Sequence, residues 1–195
     1  MPNIGLDGLY YSKITEDAEG NETYATPKRL AKATSLNMNI DMIDGEFYAD
    51  NVLAAYVKQF QSGSLSVGID DLLPGVAADL IDVKVDKNGV VIATPEDSPA
   101  PVAISYRGLR SDGTHEYGWL YRVQFNAPAS TMATKGNSIQ FNAPTLEGKI
   151  MSRNKPDSKG NHPWRASVIE GATGVSDATI NGWFEQVYEP DYTAA

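Results

Sequence analysis

Residues 35–42, SLNMNIDM, alternate without interruption: Leu36, Met38, Ile40 and Met42 fall on one side of an extended chain, Ser35, Asn37, Asn39 and Asp41 on the other. GSLSVGID (63–70) repeats the pattern, with Leu65, Val67 and Ile69 opposite Ser64, Ser66, Gly68 and Asp70. The apolar sides need a core. The polar sides are unusual, because they carry short neutral or acidic groups in place of the Lys/Glu mixture of an ordinary wet sheet face. Further strand-like runs are LYYSKI (9–14), GEFYADNV leading into AAYVKQF, PVAISYRG (101–108), EYGWLYRVQF (116–125), NSIQFNAPTLEGKIM (137–151) and WRASVIE (164–170). Turn residues punctuate them at Glu19-Gly20-Asn21, Lys87-Asn88-Gly89, Ser111-Asp112-Gly113 and Lys135-Gly136-Asn137, and SDG predicts a hairpin joining 101–110 to 115–125.

Two segments have helical spacing. In SDATINGWFEQVYEP, Ile180, Trp183, Phe184, Val187 and Tyr188 recur at i, i+3, i+4, i+7 and i+8, Ser176 is placed to cap, Asp177 suits the positive end, and Pro190 follows, which predicts a helix over 176–188. In DDLLPGVAADLI an Asp is expected to cap, Pro74 sits in the first turn, and Val76, Ala77, Leu80 and Ile81 form one stripe, which predicts a short helix near 72–81. The expected fold is mainly β (α+β): an antiparallel β-sandwich or partly closed barrel with two packed helices, in one domain over 1–195. A flexible N-terminal arm (1–8), a C-terminal tail (190–195) and loops at 94–101 and 152–163 are expected from their Pro, Gly, Ser and charge content, and the loops are candidates for contacts between chains.

Composition narrows the function. With no cysteine there is no thiolate chemistry, and two histidines cannot assemble the usual zinc ligand sets, so no metal or cofactor is expected. The opening MPNIGLDGLYYSKITED has neither a basic segment nor an apolar run, and no stretch approaches the roughly 20 apolar residues of a membrane span, so synthesis in the cytoplasm and no membrane partner are expected. A net charge of −9 argues against gripping nucleic-acid phosphates. The charge is uneven. Residues 41–97 hold eleven acids, Asp44, Glu46 and Asp50 among them, against three lysines, net −8; residues 149–165 hold Lys149, Arg153, Lys155, Lys159 and Arg165 against Asp157, net +4. Such a distribution could bring one copy to another by charge complementarity.

Catalytic arrangements find little support. Asp70 and Asp71 are neighbours, and on a strand neighbours point to opposite faces, so they cannot share a substrate atom. His115 and His162 lack any nearby nucleophile motif. Tyr117, Trp119 and Tyr121 share a strand face that could bind a sugar ring, the alternative reading being a soluble carbohydrate-binding module; but Val123 and Phe125 continue that face by period two, which favours a buried core stripe. Trp164 and Arg165 could anchor a neighbour or seal the core edge.

Several long strings together, GLDGLYYSKITEDAEGNETYATPKRLAKA, SLSVGIDDLLPGVAADLI, YGWLYRVQF, PTLEGKIMSRNKPDSKGNHPWRASV and GWFEQVYEP, resemble the major tail protein family of long-tailed, non-contractile bacteriophages, over essentially the whole chain. The resemblance implies a virion protein made in the host bacterial cytoplasm, with a β-sandwich or barrel core, assembled into homohexameric rings that stack into the tail tube through which the genome leaves. It implies as partners other copies of the chain, tail proteins such as the tape measure and the tail terminator, and double-stranded DNA that passes without specific binding. No family active site carries over.

Given that resemblance, the expected lining of the channel is Asn37, Asn39, Asp41, Ser64, Ser66 and Asp70, because a conduit for a polyanion should lack Lys and Arg contacts that hold phosphates. Ring closure needs a head-to-tail contact between unlike patches, and open sheet edges are natural sites for it. The connection 43–63, read as polar and carrying Asp44, Glu46 and Asp50, and the basic loop 152–163 with Arg153, Lys155 and Lys159, followed by Trp164 and Arg165, are the expected contacts between subunits or rings.

Overall fold

A computed structural model of the chain describes residues 1–18, 20–128 and 143–192. The chain forms, in order, β1 (Asn3–Glu16), β2 (Glu22–Tyr24), β3 (Lys28–Arg29), β4 (Ala33–Ala49), β5 (Val52–Ile69), α1 (Pro74–Ile81), β6 (Lys84–Val85), β7 (Val91–Ile92), β8 (Val102–Arg110), β9 (His115–Phe125), β10 (Thr145–Met151), β11 (Arg165–Ile169) and α2 (Asp177–Asn181). It is mainly β. Among the described residues nine strands make one antiparallel sheet, ordered β2-β1-β8-β9-β10-β5-β4, with β3 added to β1 and β11 to β9; β6 and β7 pair only with each other. The sheet folds over itself like a sandwich. Its described strands do not close into a barrel, since β1 and β4 come near each other without joining the ladder.

The hairpin expected at SDG joins β8 to β9: Gly113 takes φ +83°, and its N–H donates to the Arg110 carbonyl at 3.0 Å. Gly89 plays the same part between β6 and β7, with φ +80° and a bond to the Asp86 carbonyl. The turn expected at 135–137 lies outside the described residues. The N-terminal residues expected as a loose arm are instead paired strand: Asn3, Gly5, Leu6 and Asp7 lie opposite Arg110, Leu109, Gly108 and Arg107 of β8.

One bulge organises the interior. Between β8 and β9 the register passes from Ile104↔Leu120 to Val102↔Val123, so Tyr121 and Arg122 together oppose Ala103. An extra residue inverts the alternation beyond it. Tyr117, Trp119 and Tyr121 therefore join a core on one face of the sheet with Ala103, Trp183 and Val187, whereas Val123 and Phe125 join the main core with Leu9, Val67, Ile104, Leu146 and Ile150. Period two from Tyr117 to Phe125 predicts one continuous stripe; the side chains are buried as expected, in two different cores.

Both helices exist with altered ends. The cap of α1 is Leu73, with no side-chain cap bond, and Pro74 at its start contributes no N–H that would need a partner. The expected Asp cap is absent because Asp70 accepts from the backbone N–H groups of Lys32 and Asp71, and Asp71 from that of Leu72. Ala77, Leu80 and Ile81 of α1 close one end of the main core. In α2, Ser176 does cap, accepting from the Thr179 N–H at 3.2 Å, but the helix stops at Asn181 and not near 188. Trp183 and Val187 are still buried. The chain beyond Gly182 is held from outside the helix: Trp119 Nε1 donates to the Trp183 carbonyl at 3.1 Å, and the Tyr121 hydroxyl to the Tyr188 carbonyl at 2.8 Å. Carbonyls bound by the sheet are no longer available to an i→i+4 ladder.

Gly118 of β9 marks the closest approach in the sheet. A Cβ there would lie 2.4 Å from the ring of Tyr106, its cross-strand partner. Gly118→Ala is expected to lower stability by about 1–3 kcal/mol, the usual effect of overpacking, read as a lower denaturation midpoint in urea. Tyr106→Leu in the same chain should recover part of it by vacating the space.

Candidate assembly surfaces

The polar rows of β4 and β5 meet as expected. Asn37 lies opposite Ser66, Asn39 opposite Ser64 and Asp41 opposite Ser62. β10 continues the face, placing Glu147 beside Ser66 and Lys149 beside Ser64. All of these except Ser62, together with Asn126, line an open cleft of about 500 Å³. Its floor is rigid because Leu65, Val67, Leu146 and Ile150 point the other way into the main core. Asp70 does not belong to it: its carboxylate is turned to the Lys32 N–H at 2.9 Å, with Lys32 Nζ at 3.8 Å, in a separate recess lined also by Leu30 and Leu73. The hydrogen bond from the Lys32 backbone holds that carboxyl below its ordinary pKa. In place of Asp70 the face gains Glu147 and Lys149. TLEGKIM shows the same alternation as SLNMNIDM, so their side could have been read from the sequence. The cleft face carries Asp41 and Glu147 against the single cation Lys149.

Past Asp41 the two strands leave the body as a long ribbon. Met42 pairs with Phe60 and the ladder runs to Ala49↔Val52, closed by a tight turn in which Asp50 and Asn51 take φ +53° and +60°. The eight residues from Met42 to Ala49 extend roughly 25 Å at about 3.3 Å per residue. Register shifts leave Gln61 and Ala54 of β5 unpaired, and such bulges bend and twist a ribbon away from the sheet that bears it. Phe60 stacks on Trp164 at 4.8 Å between ring centroids and fixes the base. Of the two roles expected for Trp164, anchoring a neighbour or sealing the core edge, the structure shows the second: it packs against the main core of its own chain.

This arm replaces the polar connection expected over 43–63. Alternation in β4 is unbroken, so the side that is polar at Asn37, Asn39 and Asp41 becomes mainly apolar at Ile43, Gly45, Phe47 and Ala49, opposite Gln59, Val57, Ala55 and Val52 of β5. Ile43, Phe47, Val52 and Val57 are 53%, 64%, 66% and 54% exposed. The opposite side is mixed: Asp44 faces Lys58, Glu46 faces Tyr56, and Glu46 accepts from the Tyr48 hydroxyl at 2.8 Å. The expected contact residues Asp44, Glu46 and Asp50 are therefore gathered on one projecting element.

The basic loop is largely neutralised inside the chain. Arg153 is 1% exposed, lies 4.8 Å over the Tyr121 ring and pairs with Glu189 at 2.7 Å, which Lys155 also reaches at 3.0 Å. Arg165 pairs with Glu116 at 3.1 Å. Arg153 cannot serve as a surface contact. The loop is not loose, because the buried carboxylate of Glu22 accepts the Asn154 and Lys155 backbone N–H groups and also binds Arg122, which reaches Glu16 as well. This anchor leaves no local pattern, since its partners lie a hundred or more positions away. Lys159 stays exposed, over the ring of Tyr192 at 4.4 Å.

The surfaces considered for other chemistry are occupied. Tyr117, Trp119 and Tyr121 are 6%, 0% and 0% exposed beneath Trp183 and Val187, and offer no open platform to a sugar. His115 Nδ1 lies 2.8 Å from Glu170, and His162 Nδ1 3.1 Å from the Arg153 carbonyl. No helix is long and apolar enough to cross a membrane among the described residues. Comparison with known protein families and with curated proteins finds no match for this chain.

Proposed function

We propose that the chain is a structural subunit of a bacteriophage tail tube: copies join head to tail into hexameric rings, rings stack, and the polar cleft faces a channel that passes double-stranded DNA. The observation that carries this reading is the ribbon β4–β5, on which one row changes from Asn and Asp at the cleft to exposed Ile, Phe, Val and Ala on the arm. A soluble chain seldom leaves a contiguous apolar face of this length in water unless another surface covers it. The chain resemblance noted above supports the same reading, with the tape measure and tail terminator as further partners and the virion tail as its place. Negative-stain microscopy of the purified protein tests the class directly: rings or hollow rods are expected, and solitary particles at every concentration would refute it.

The channel assignment makes its own prediction. Short neutral groups and a slight excess of carboxylate give phosphates nothing to hold, whereas each added ammonium creates a counterion-releasing contact. Asn37→Lys with Asn39→Lys adds about a dozen cations per hexameric ring and is expected to leave rods intact while slowing DNA release, most strongly at low salt. Release at the unmodified rate would move these residues out of the channel.

A further inference from the structure

Every residue of the arm from Asp41 to Gln59 is exposed, so the apolar side is only one of two that nothing in the described chain covers. On the other side Met42 lies opposite Phe60, Asp44 opposite Lys58, Glu46 opposite Tyr56 and Tyr48 opposite Leu53. Met42, Tyr48, Leu53 and Tyr56 are 42%, 59%, 47% and 51% exposed. The charges of this side are met within the arm: Asp44 stands across the ladder from Lys58, and Glu46 accepts from the Tyr48 hydroxyl at 2.8 Å. What it offers a partner is aromatic and aliphatic, and tyrosine is a residue in which interfaces are rich.

Sequence and layer order both fit burial of this second side. VLAAYV (52–57) is an unbroken apolar run, the pattern of a strand covered on both faces, whereas a ribbon wet on one side alternates. In the body, the same side of β4 carries Leu36, Met38 and Ile40, which pack against the main core. The arm therefore prolongs one layer of the sandwich past the end of the layer that covers it. A two-stranded ribbon is marginal in water by itself. Area points the same way: a strip roughly 25 Å long and roughly 10 Å wide presents roughly 250 Å² per side, about a third of the roughly 800 Å² per partner of a standard interface, so a contact through one side alone is small.

We propose that in the assembly the arm is clamped on both sides between neighbouring copies of this chain, one surface covering Ile43, Phe47, Val52 and Val57 and another supplying the missing layer over Met42, Tyr48, Leu53 and Tyr56. The inference rests on the assembly reading above and deepens it: the arm is an inserted element and is not laid on a single surface. Its two sides differ in chemistry, so the surfaces that receive them differ too, one aliphatic and dry, the other able to hydrogen-bond a tyrosine hydroxyl. A contact between unlike surfaces is heterologous and propagates from copy to copy without stopping at a dimer.

The absence of cysteine gives a clean test. Ala55→Cys places a single thiol on the apolar side of the arm, and Leu53→Cys one on the tyrosine side, both at exposed positions. Each variant is diluted into an excess of unmodified protein, assembled into rods and treated with a maleimide beside the unassembled protein; Tyr56→Cys replaces Leu53→Cys, and Ala49→Cys replaces Ala55→Cys, should either stay out of the rods. Both thiols are expected to react freely before assembly and to lose most of that reactivity in rods. Rods in which Leu53→Cys reacts at its unassembled rate while Ala55→Cys is protected mean an arm lying on one surface, and overturn the proposal; so do rods in which Ala55→Cys stays reactive. Tyr48→Thr, Leu53→Thr and Tyr56→Thr combined give a second readout, with loss of rods expected and rods of normal length counting against the clamp. Either failure leaves the assembly reading intact. If the unmodified protein forms neither rings nor rods, that reading falls, and this inference with it.

Discussion

Phe47→Thr, Val52→Thr and Val57→Thr combined are expected to abolish rods and rings while leaving the monomer folded. All three side chains lie on one face of the arm and none belongs to either core. Threonine is β-branched and suits a strand, so the ribbon itself should persist. Exposed positions of this kind usually change stability by no more than about 0.5 kcal/mol each. For a chain of this size the three together should move the melting temperature by only a few degrees, at about 2–4 °C per kcal/mol. Assembly responds on another scale. Covering a Phe or Val side chain contributes about 1.5–3 kcal/mol, and even if threonine retains half of that, each contact loses about 2–4.5 kcal/mol, roughly fortyfold to two-thousandfold in its association constant. A polymer multiplies that loss at every joint. Sedimentation and negative-stain microscopy would read the outcome, with far-UV circular dichroism confirming the fold. Rods of normal length from the triple variant would remove the arm from the assembly.

The same residues show what the sequence made legible. Strict alternation identified β4 and β5 over 35–42 and 63–70 because one side is buried and the other wet, the condition under which period two is plain. It also marks GEFYADNV and AAYVKQF as strand-like, and these are the two sides of the arm; Asp44, Glu46 and Asp50 make the connection read as polar, although Ile43, Phe47 and Ala49 continue the row of Asn37 and Asp41. At the bulge in β9 the failure is of another kind. An extra residue leaves no mark in the local sequence, so period two assigns Val123 and Phe125 to the face of Tyr121, whereas they are buried on the other. Cleft residues on one hairpin could be read together, whereas Glu147 and Lys149 join them only through pairing of β10 with β5. The Glu22 and Arg153 anchors are invisible for a related reason: a long-range ion pair has no spacing to read, and a charged residue taken alone looks like surface.

Trp119→Ala is expected to have the largest effect on the folded chain itself. The indole is fully buried between the sheet and the segment after α2, packed with Tyr117, Tyr121, Trp183 and Val187. Truncation of a buried Trp to Ala typically costs about 3–5 kcal/mol, from lost contacts and the cavity left behind. Here a second loss follows. The Nε1 hydrogen bond to the Trp183 carbonyl disappears, leaving that acceptor buried in a segment that has no helical ladder of its own to satisfy it. Against a total stability of about 5–15 kcal/mol, the variant should be close to unfolding at 37 °C. Trp119→Phe separates the two contributions, because it keeps most of the packing and removes only the donor; its cost should be nearer the 1–3 kcal/mol of an unsatisfied buried group. Urea denaturation of the three proteins, followed by far-UV circular dichroism, measures the series. Equal midpoints for Trp119→Ala and the unmodified chain would show that the segment after Gly182 does not close the second core, and that Trp183 and Val187 owe their burial to something other than the face of β9.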